Sequence, residues 1–445
     1  MRRTRCWKVL VFAAVALFLV SVPSPAADSQ KKAIRFGKLV DGAGNVTSDA
    51  LVVVDGDRIV RVTTGETAVP DDAELIDLEE YTGLPGLIDV HTHMTYYWDR
   101  TPGTTPWSQH LGERLPAVTV FLAQENARRT LETGVTTVRD LGASEYTDIA
   151  MRDLINRGAM SGPRMFVSGH GLFINYLSAR PSGDAVHAAV AAGVPDVMRV
   201  VRQEIFGAGA DVVKMYASTG SAETVESRQT FTFEEIKAAV DAAHNLGVKI
   251  AVHSYGPDGA RDAVRAGADS IEHATGLDEK TIAEMVRRGT FYVPTIDHNR
   301  YYADHADEYG YGPEVVERLN DFIERNLETA RRAHEAGVRF AMGSDAVFTM
   351  FGQNTRELAW FVKAGMTPEQ ALATATSNAA ILLGMEEDLG AVAPGYHADI
   401  VAVEGDPLSD INVVIENVRW VMKNGAVVFD GPGEHDGTVM PQHQE

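Results

Sequence analysis

The sequence predicts an α/β protein: a TIM-type (β/α)8 barrel carrying a small β-sandwich built from both chain termini. Three observations predict it. The middle of the 445-residue chain alternates short apolar runs with longer helical patterns, the signature of βα units around a parallel sheet. Eight such runs can be counted, the number that closes a barrel. Both ends of the chain read instead as short strands joined by turns, and the length suits one large barrel plus a smaller module.

The elements follow in order. Arg2, Arg3, Arg5 and Lys8 precede an apolar run over 9–20 and the small-residue stretch 23–27, the layout of a secretory signal peptide cleaved after Ala26 or Ala27. The run falls well short of the roughly 20 apolar residues that span a bilayer, and no other stretch approaches that length, so no stable membrane anchor is expected. Cys6, the single cysteine, lies inside this segment. The mature chain then has no thiol or disulfide, and the pattern suits an exported, bacterial periplasmic enzyme with a large core.

The first part of the sandwich, 28–85, holds strands over 33–39, 50–54, 58–62 and 75–77, with Asp55-Gly56-Asp57 as a tight turn. The barrel, 86–389, has its runs at 86–90, 135–139, 165–168, 212–215, 249–252, 270–272, 291–294 and 339–342. Helical patterns over 118–132, 233–245, 278–288 and 315–336 lie between them, several closed by Gly134, Gly247 or Gly337. A doubly wound open sheet is the alternative. The second part of the sandwich, 390–435, holds strands over 400–403, 418–423 and 426–428 with Asn424-Gly425 as a turn, and a tail over 436–445 follows.

Composition narrows the function. Hydrophobic residues make up 45% and charged residues 23% of the chain, as in ordinary globular proteins. The formal net charge of -22 disfavours nucleic acid and anionic membrane surfaces as partners. It says nothing direct about substrate, because bound cations set the field of a buried site.

The chemistry gathers at strand ends. His91-Thr92-His93 ends the first barrel run, and side chains two apart on a strand share a face, so two imidazoles converge on one cation without strain. Lys214, His253, His273 and Asp345 each stand near the C-terminal end of a later run. Taken singly, His253 reads as a hydrogen-bonded strand-end histidine, Lys214 as a solvated or paired lysine, and Asp345 as a cap or turn residue. Five such coincidences in register, on the barrel face where active sites lie, are hard to attribute to packing.

The run Gly86-Leu-Ile-Asp-Val-His-Thr-His93, with Lys214, His253, Ile271-Glu-His273, Gly343-Ser-Asp345 and the tail from Gly390 to Ile400, resembles the amidohydrolase superfamily across nearly the whole mature chain. Within it the chain is most similar to the imidazolonepropionase-like and prolidase-like branch, which includes Xaa-Pro and arginine- or lysine-releasing dipeptidases. The resemblance implies two divalent metal ions, zinc being the expected species. It implies that His91, His93 and Asp345 hold a buried ion and His253 and His273 a more exposed one, with Lys214 carboxylated by CO2 into a bridging carbamate. Asp345 would move the proton, and His170, between Gly169 and Gly171, would donate to the substrate carbonyl. Tyr255 is a candidate for holding a substrate carboxylate.

The remaining histidines read as structural. His244 and His334 sit near helix ends, His187 and His397 lie away from the strand ends, and His298 and His305 fall in the aromatic stretch 297–311, a candidate lid. Tyr96-Tyr97-Trp98 is a candidate pocket wall. The expected activity is hydrolysis of the amide bond of small N-acyl or aminoacyl amino acids. Hydrolysis of a cyclic amide or lactone by the same site is the second reading, and a non-catalytic scaffold the third. The intact set of six candidate ligands argues against the scaffold. A small molecule is the expected partner, with homo-oligomerisation left open.

Export makes a direct prediction: mass spectrometry of the protein from its native host should find a mature N-terminus near Ala27 or Asp28. An intact Met1 on a cytoplasmic protein would overturn the localisation.

Overall fold

The computed structural model describes residues 31–42, 44–65, 68–110, 114–174, 189–220 and 227–431. The expected signal peptide, the tail over 436–445 and His187 lie outside the described residues. The chain starts with four strands, β1 (Lys31–Val40), β2 (Val46–Asp55), β3 (Arg58–Thr64) and β4 (Ala73–Pro85). Only Gly86 separates β4 from the first barrel strand, β5 (Leu87–Thr92), so one extended segment passes from the outer sheet into the barrel wall.

The barrel continues through β6 (Val135–Asp140) and β7 (Arg164–Val167). Two short strands, β8 (Leu172–Ile174) and β9 (Ala189–Ala191), then precede β10 (Val212–Tyr216), β11 (Lys249–Ser254), β12 (Ser270–His273), β13 (Phe291–Val293) and β14 (Arg339–Phe340). Every sequence-predicted barrel run overlaps one of these strands. The pair β8 and β9 was not expected: three residues each carry too little pattern to register. They add to the edge of β10 in parallel.

β5, β6 and β7 pair in parallel in one sheet, and β10 to β14 in another. Backbone hydrogen bonds span both gaps. Val90 N–H donates to Met342 O at 2.9 Å and Asp345 N–H to His91 O at 2.7 Å on one side, and Asp211 N–H to Val167 O at 2.8 Å on the other. All residues of β5 and β6 are buried, as expected for strands covered on both faces.

The helices show why the periodicity was readable. The helix Phe233–His244 starts at a capping box of Thr232 and Glu235 and buries Ile236, Ala239, Val240 and Ala243. Glu279–Arg288 starts where Asp278 accepts from Thr281 N–H and ends at Gly289. The pattern over 118–132 divides into Pro116–Leu122 and Gln124–Glu132, and the last of the four forms Pro313–Glu335.

The chain closes with β15 (Ile400–Val403), β16 (Val418–Lys423) and β17 (Ala426–Asp430). These join the N-terminal strands in one seven-stranded sheet of order β17-β16-β15-β4-β1-β2-β3. The sheet curls on itself. Arg58 of the edge strand β3 bridges to His397, Ile59 N–H donates to Tyr396 O at 2.9 Å, and Ala398 N–H donates to Asp57 O at 2.8 Å. The two facing layers of the expected sandwich are thus two halves of one curled sheet around Phe36, Val52, Ile400 and Trp420.

The Asn424-Gly425 turn sits directly on the β2–β3 turn, where a Cβ added to Gly425 would lie 1.9 Å from Gly56 O, on a backbone with φ of 74°. Gly425→Ala should therefore destabilise the chain by roughly 2–4 kcal/mol through left-handed strain plus overpacking. Urea unfolding monitored by circular dichroism checks this; unchanged stability would show that the two turns do not pack.

Candidate metal centre

The ends of β5, β10, β11, β12 and β14 bring the ligand candidates together. On β5 the alternation that turns Leu87 and Asp89 to one face also turns His91 there, and His93 continues it just past the strand. Asp89, fully buried, fastens this strand to the loop after β14. It accepts from Ser344 N–H at 2.9 Å, Ser344 Oγ–H at 2.6 Å and Asn354 Nδ2–H at 3.0 Å. Burial still pushes its carboxyl up to about 6.

At the ends of three later strands the backbone enters the left-handed region at a non-glycine residue: His273 (φ 73°), Thr295 (φ 50°) and Asp345 (φ 53°). Such residues persist where the surroundings hold them, and they cluster at functional sites. Here the holding bonds are visible. Asp345 N–H donates to His91 O at 2.7 Å, and His273 Nδ1 lies 2.7 Å from Thr295 Oγ1.

The result is a carboxylate ringed by imidazoles. Asp345 Oδ1 faces His91 Nε2 at 3.5 Å and His93 Nε2 at 3.3 Å; Oδ2 faces His273 Nδ1 at 3.9 Å and His298 Nε2 at 3.3 Å. Lys214 Nζ lies 3.3 Å from His91 Nε2. The His253 ring stands with its centroid 4.5 Å from that of His273. Five of the six ligand candidates thus sit in direct atomic contact, and His253 joins them through its ring.

Tautomers follow from the partners. His91 Nδ1 lies 2.8 Å from Glu272 Oε2 and His93 Nδ1 lies 2.8 Å from Gly142 O. Both partners are acceptors, so each Nδ1 carries a proton, and each Nε2 is the nitrogen turned toward Asp345. Glu272 is itself held by Arg139 Nη2 at 2.9 Å, and Arg139 donates through Nε to Val90 O at 2.6 Å. Burial works against the Glu272 charge, but Arg139 and His91 overcome it and bring its carboxyl down to about 2.

Burial shifts the other groups toward neutrality. It brings His91 down to about 4, aided by the Lys214 charge, and holds His253 and His273 well below the usual histidine range. It lowers Lys214 to about 8. Two groups run the other way: burial would lower His93, yet Asp345 holds it above the usual histidine value, and burial would raise Asp345, yet His298, His91, His93 and His273 keep it well below the usual carboxylate range.

This donor set fits a divalent cation. His91, His273 and Asp345 offer ligand atoms within 4.8 Å of one another, a mixture of neutral imidazole and carboxylate that suits zinc and its neighbours. His253 Nε2 is buried with no hydrogen-bond partner among the described residues, a lone pair that a metal would satisfy.

The two substrate candidates lie beside the cluster. The His170 ring stands over Tyr146 with centroids 4.0 Å apart, and its backbone N–H donates to Glu204 Oε2 at 3.2 Å. A Cβ on the adjoining Gly171 would lie 3.3 Å from Lys214 Cγ, which places this turn beside the cluster. Tyr255 is buried and stacks flat on His273, with centroids 4.9 Å apart. Tyr96 stacks on His93 at 4.7 Å, as a pocket wall should.

Sequence reasoning missed two residues. His298 was read as structural and its stretch as a lid. The stretch folds as the helices Ile296–Asp304 and Ala306–Tyr309, with Tyr301 and Tyr302 buried, and the first carries His298 to Asp345. The available signal was position, four residues past Pro294 at a strand end. Glu272 was quoted without a role; the signal was a pair of opposite charges, Arg139 and Glu272, inside barrel strands whose residues are all buried.

Comparison with known proteins agrees with this geometry. Residues 82–428 match the amidohydrolase family. The ochratoxinase of Aspergillus niger is 30% identical over 444 residues, covering 92% of this chain and 88% of its own. The crystal structure of a Xaa-Pro dipeptidase with methionine bound in the active site superposes with a TM-score of 0.80 at 34% identity, covering 90% of this chain and 100% of that one. A prolidase complexed with N-methylphosphonate-L-proline superposes with a TM-score of 0.80 at 30% identity, with the same coverage.

The Arg139–Glu272 pair generates a stability prediction, because Arg139 is 2% and Glu272 0% exposed. Arg139→Met leaves an uncompensated carboxylate in the barrel and should cost about 3–5 kcal/mol. Denaturant unfolding of the variant reads this directly; a loss under about 1 kcal/mol would mean the pair does not carry the barrel interior.

Proposed function

The chain belongs to the amidohydrolase family, and from that premise we propose that it is a binuclear metal-dependent hydrolase. Its proposed substrates are small N-acyl or aminoacyl amino acids, whose amide bond it cleaves in the manner of a dipeptidase or carboxypeptidase. The observation that carries the reading is the convergence of His91, His93, His273, Lys214 and Asp345 within a few ångströms at the C-terminal mouth of the barrel. The relatives support the bond type. One is named ochratoxinase, one Xaa-Pro dipeptidase and one prolidase. A periplasmic location is proposed on the pattern of residues 2–27 alone.

His91, His93 and Asp345 would hold one ion, and His253 and His273 the other. Bound there, two zinc ions supply the Lewis acidity that makes water nucleophilic near neutral pH and polarises the scissile carbonyl. Lys214 would join them as a carbamate: its neutral Nζ attacks the carbon of CO2, an N–C bond forms as one C=O π bond opens onto oxygen, and the nitrogen gives a proton to water. Burial, which brings Lys214 to about 8, favours that neutral amine. The product presents two anionic oxygens where an ammonium would repel both cations.

Asp345 manages the proton. Its Oδ1 faces His91 and His93, which leaves Oδ2 to take the proton of the attacking water and return it to the leaving nitrogen. Amide nitrogen leaves poorly without that proton. His170 donates to the carbonyl oxygen as it gains charge, and the Tyr255 hydroxyl holds the substrate's terminal carboxylate.

The test compares N-acyl amino acids and dipeptides with their C-terminally amidated forms on the zinc-loaded protein. Amidation should lower kcat/KM roughly 10- to 100-fold, the worth of about 1.5–3 kcal/mol of hydrogen bonding to a charged group. Lys214→Ala should abolish most activity, with partial rescue by propionate. Equal rates on free and amidated substrates, or a preference for lactones and ring amides, would overturn the substrate reading.

A further inference from the structure

We propose that His298 is a positioning residue that fixes the rotation of the Asp345 carboxylate, so that one oxygen serves the metal ligands and the other the proton. The inference rests on the hydrolase reading above and adds a residue to it.

His298 is delivered to Asp345 by a helix whose first turn is locked. Glu357, fully buried, accepts from the N–H groups of Ile296 at 2.9 Å and Asp297 at 2.8 Å, using both carboxylate oxygens on one helix N-terminus. Asp297 is held in turn by Arg300 Nη2 at 2.7 Å and Trp360 Nε1 at 2.9 Å. The residue before the helix, Thr295, carries left-handed backbone and also contacts His273. A side chain in that first turn has little freedom to drift.

At the far end of the ring, His298 Nε2 lies 3.3 Å from Asp345 Oδ2. A carboxylate oxygen is an acceptor, so Nε2 carries the proton and Nδ1 is left with a lone pair. That Nδ1 is buried and has no hydrogen-bond partner among the described residues. The ring packs edge-on to Tyr302, with centroids 4.6 Å apart. Phenylalanine would fill this space without leaving a buried acceptor unpaired, so packing does not explain the imidazole.

The explanation lies in what a carboxylate does when unrestrained. Its two oxygens are equivalent and exchange by rotation about one bond. With His298 on Oδ2, Oδ1 stays between His91 and His93. A group that must take a proton and then give it back to a different atom gains from keeping one oxygen in one place.

The experiment uses the full-length zinc-loaded protein as parent, His298→Phe and His298→Gln; the glutamine N–H reaches where Nε2 stands. His298→Phe should lower kcat on the order of 10- to 100-fold with KM within about twofold, and should lose zinc to a competing chelator several-fold more readily. His298→Gln should recover most of both. The kcat loss should shrink for anilide substrates, whose leaving nitrogen needs its proton less. A His298→Phe variant with parental kcat and zinc retention would overturn the proposal, as would a loss confined to KM or a His298→Gln no better than His298→Phe. The chelator arm judges His298 even if the parent cleaves none of the amides, a result that would sink the substrate reading alone.

Discussion

One constraint governs the mouth of the barrel: a carboxylate, several imidazoles and a lysine must all be held away from water. Each alone would cost several kcal/mol to bury in charged form. The molecule meets this by pairing every charge with a neighbour of the opposite sign or leaving it neutral. Asp345 is kept well below the usual carboxylate range by the histidines around it, His298 first. Glu272 stays ionised because Arg139 and His91 hold it. His253 and His273 give up their charge instead.

The backbone shares that work. A barrel strand that reaches its C-terminal end must leave the wall sharply, yet its last side chain has to keep pointing at the axis. Left-handed residues at His273, Thr295 and Asp345 achieve both, at about 1–3 kcal/mol each. The hydrogen bonds that repay this strain run between neighbouring strand ends, from Asp345 N–H to His91 O and between His273 and Thr295. The site and the closure of the barrel are therefore made of the same contacts.

The curled sheet contributes at a distance. β4 runs into β5 through Gly86, whose N–H donates to Asp399 O at 2.7 Å, and Arg164 of β7 reaches the Asp399 carboxylate at 2.6 Å. The C-terminal segment thus ties down the base of two barrel strands, one of which carries His91. On the opposite side, Tyr96, Trp107 and Phe348 form an aromatic wall beside His93. Its rings set an apolar surface beside the polar cluster.

The sequence by itself determined the parts that depend on neighbours along the chain. The eight barrel runs, the capping residues such as Thr232 and Asp278, and the placement of His91, His93, Lys214, His253, His273 and Asp345 at strand ends are local patterns of period 2 or 3.6. The tertiary structure alone decided what depends on neighbours across space. That the terminal strands form one curled sheet required the bridge from Arg58 to His397, hundreds of residues apart and invisible to periodicity. That Glu272 supports His91 while Arg139 supports Glu272 required three separate strands to meet. And His298, which reads in sequence as one ring among many in an aromatic stretch, acquires its place only when a helix folds back over the barrel mouth. Side-chain burial and charge pairing are properties of that assembly, and no window of sequence contains them.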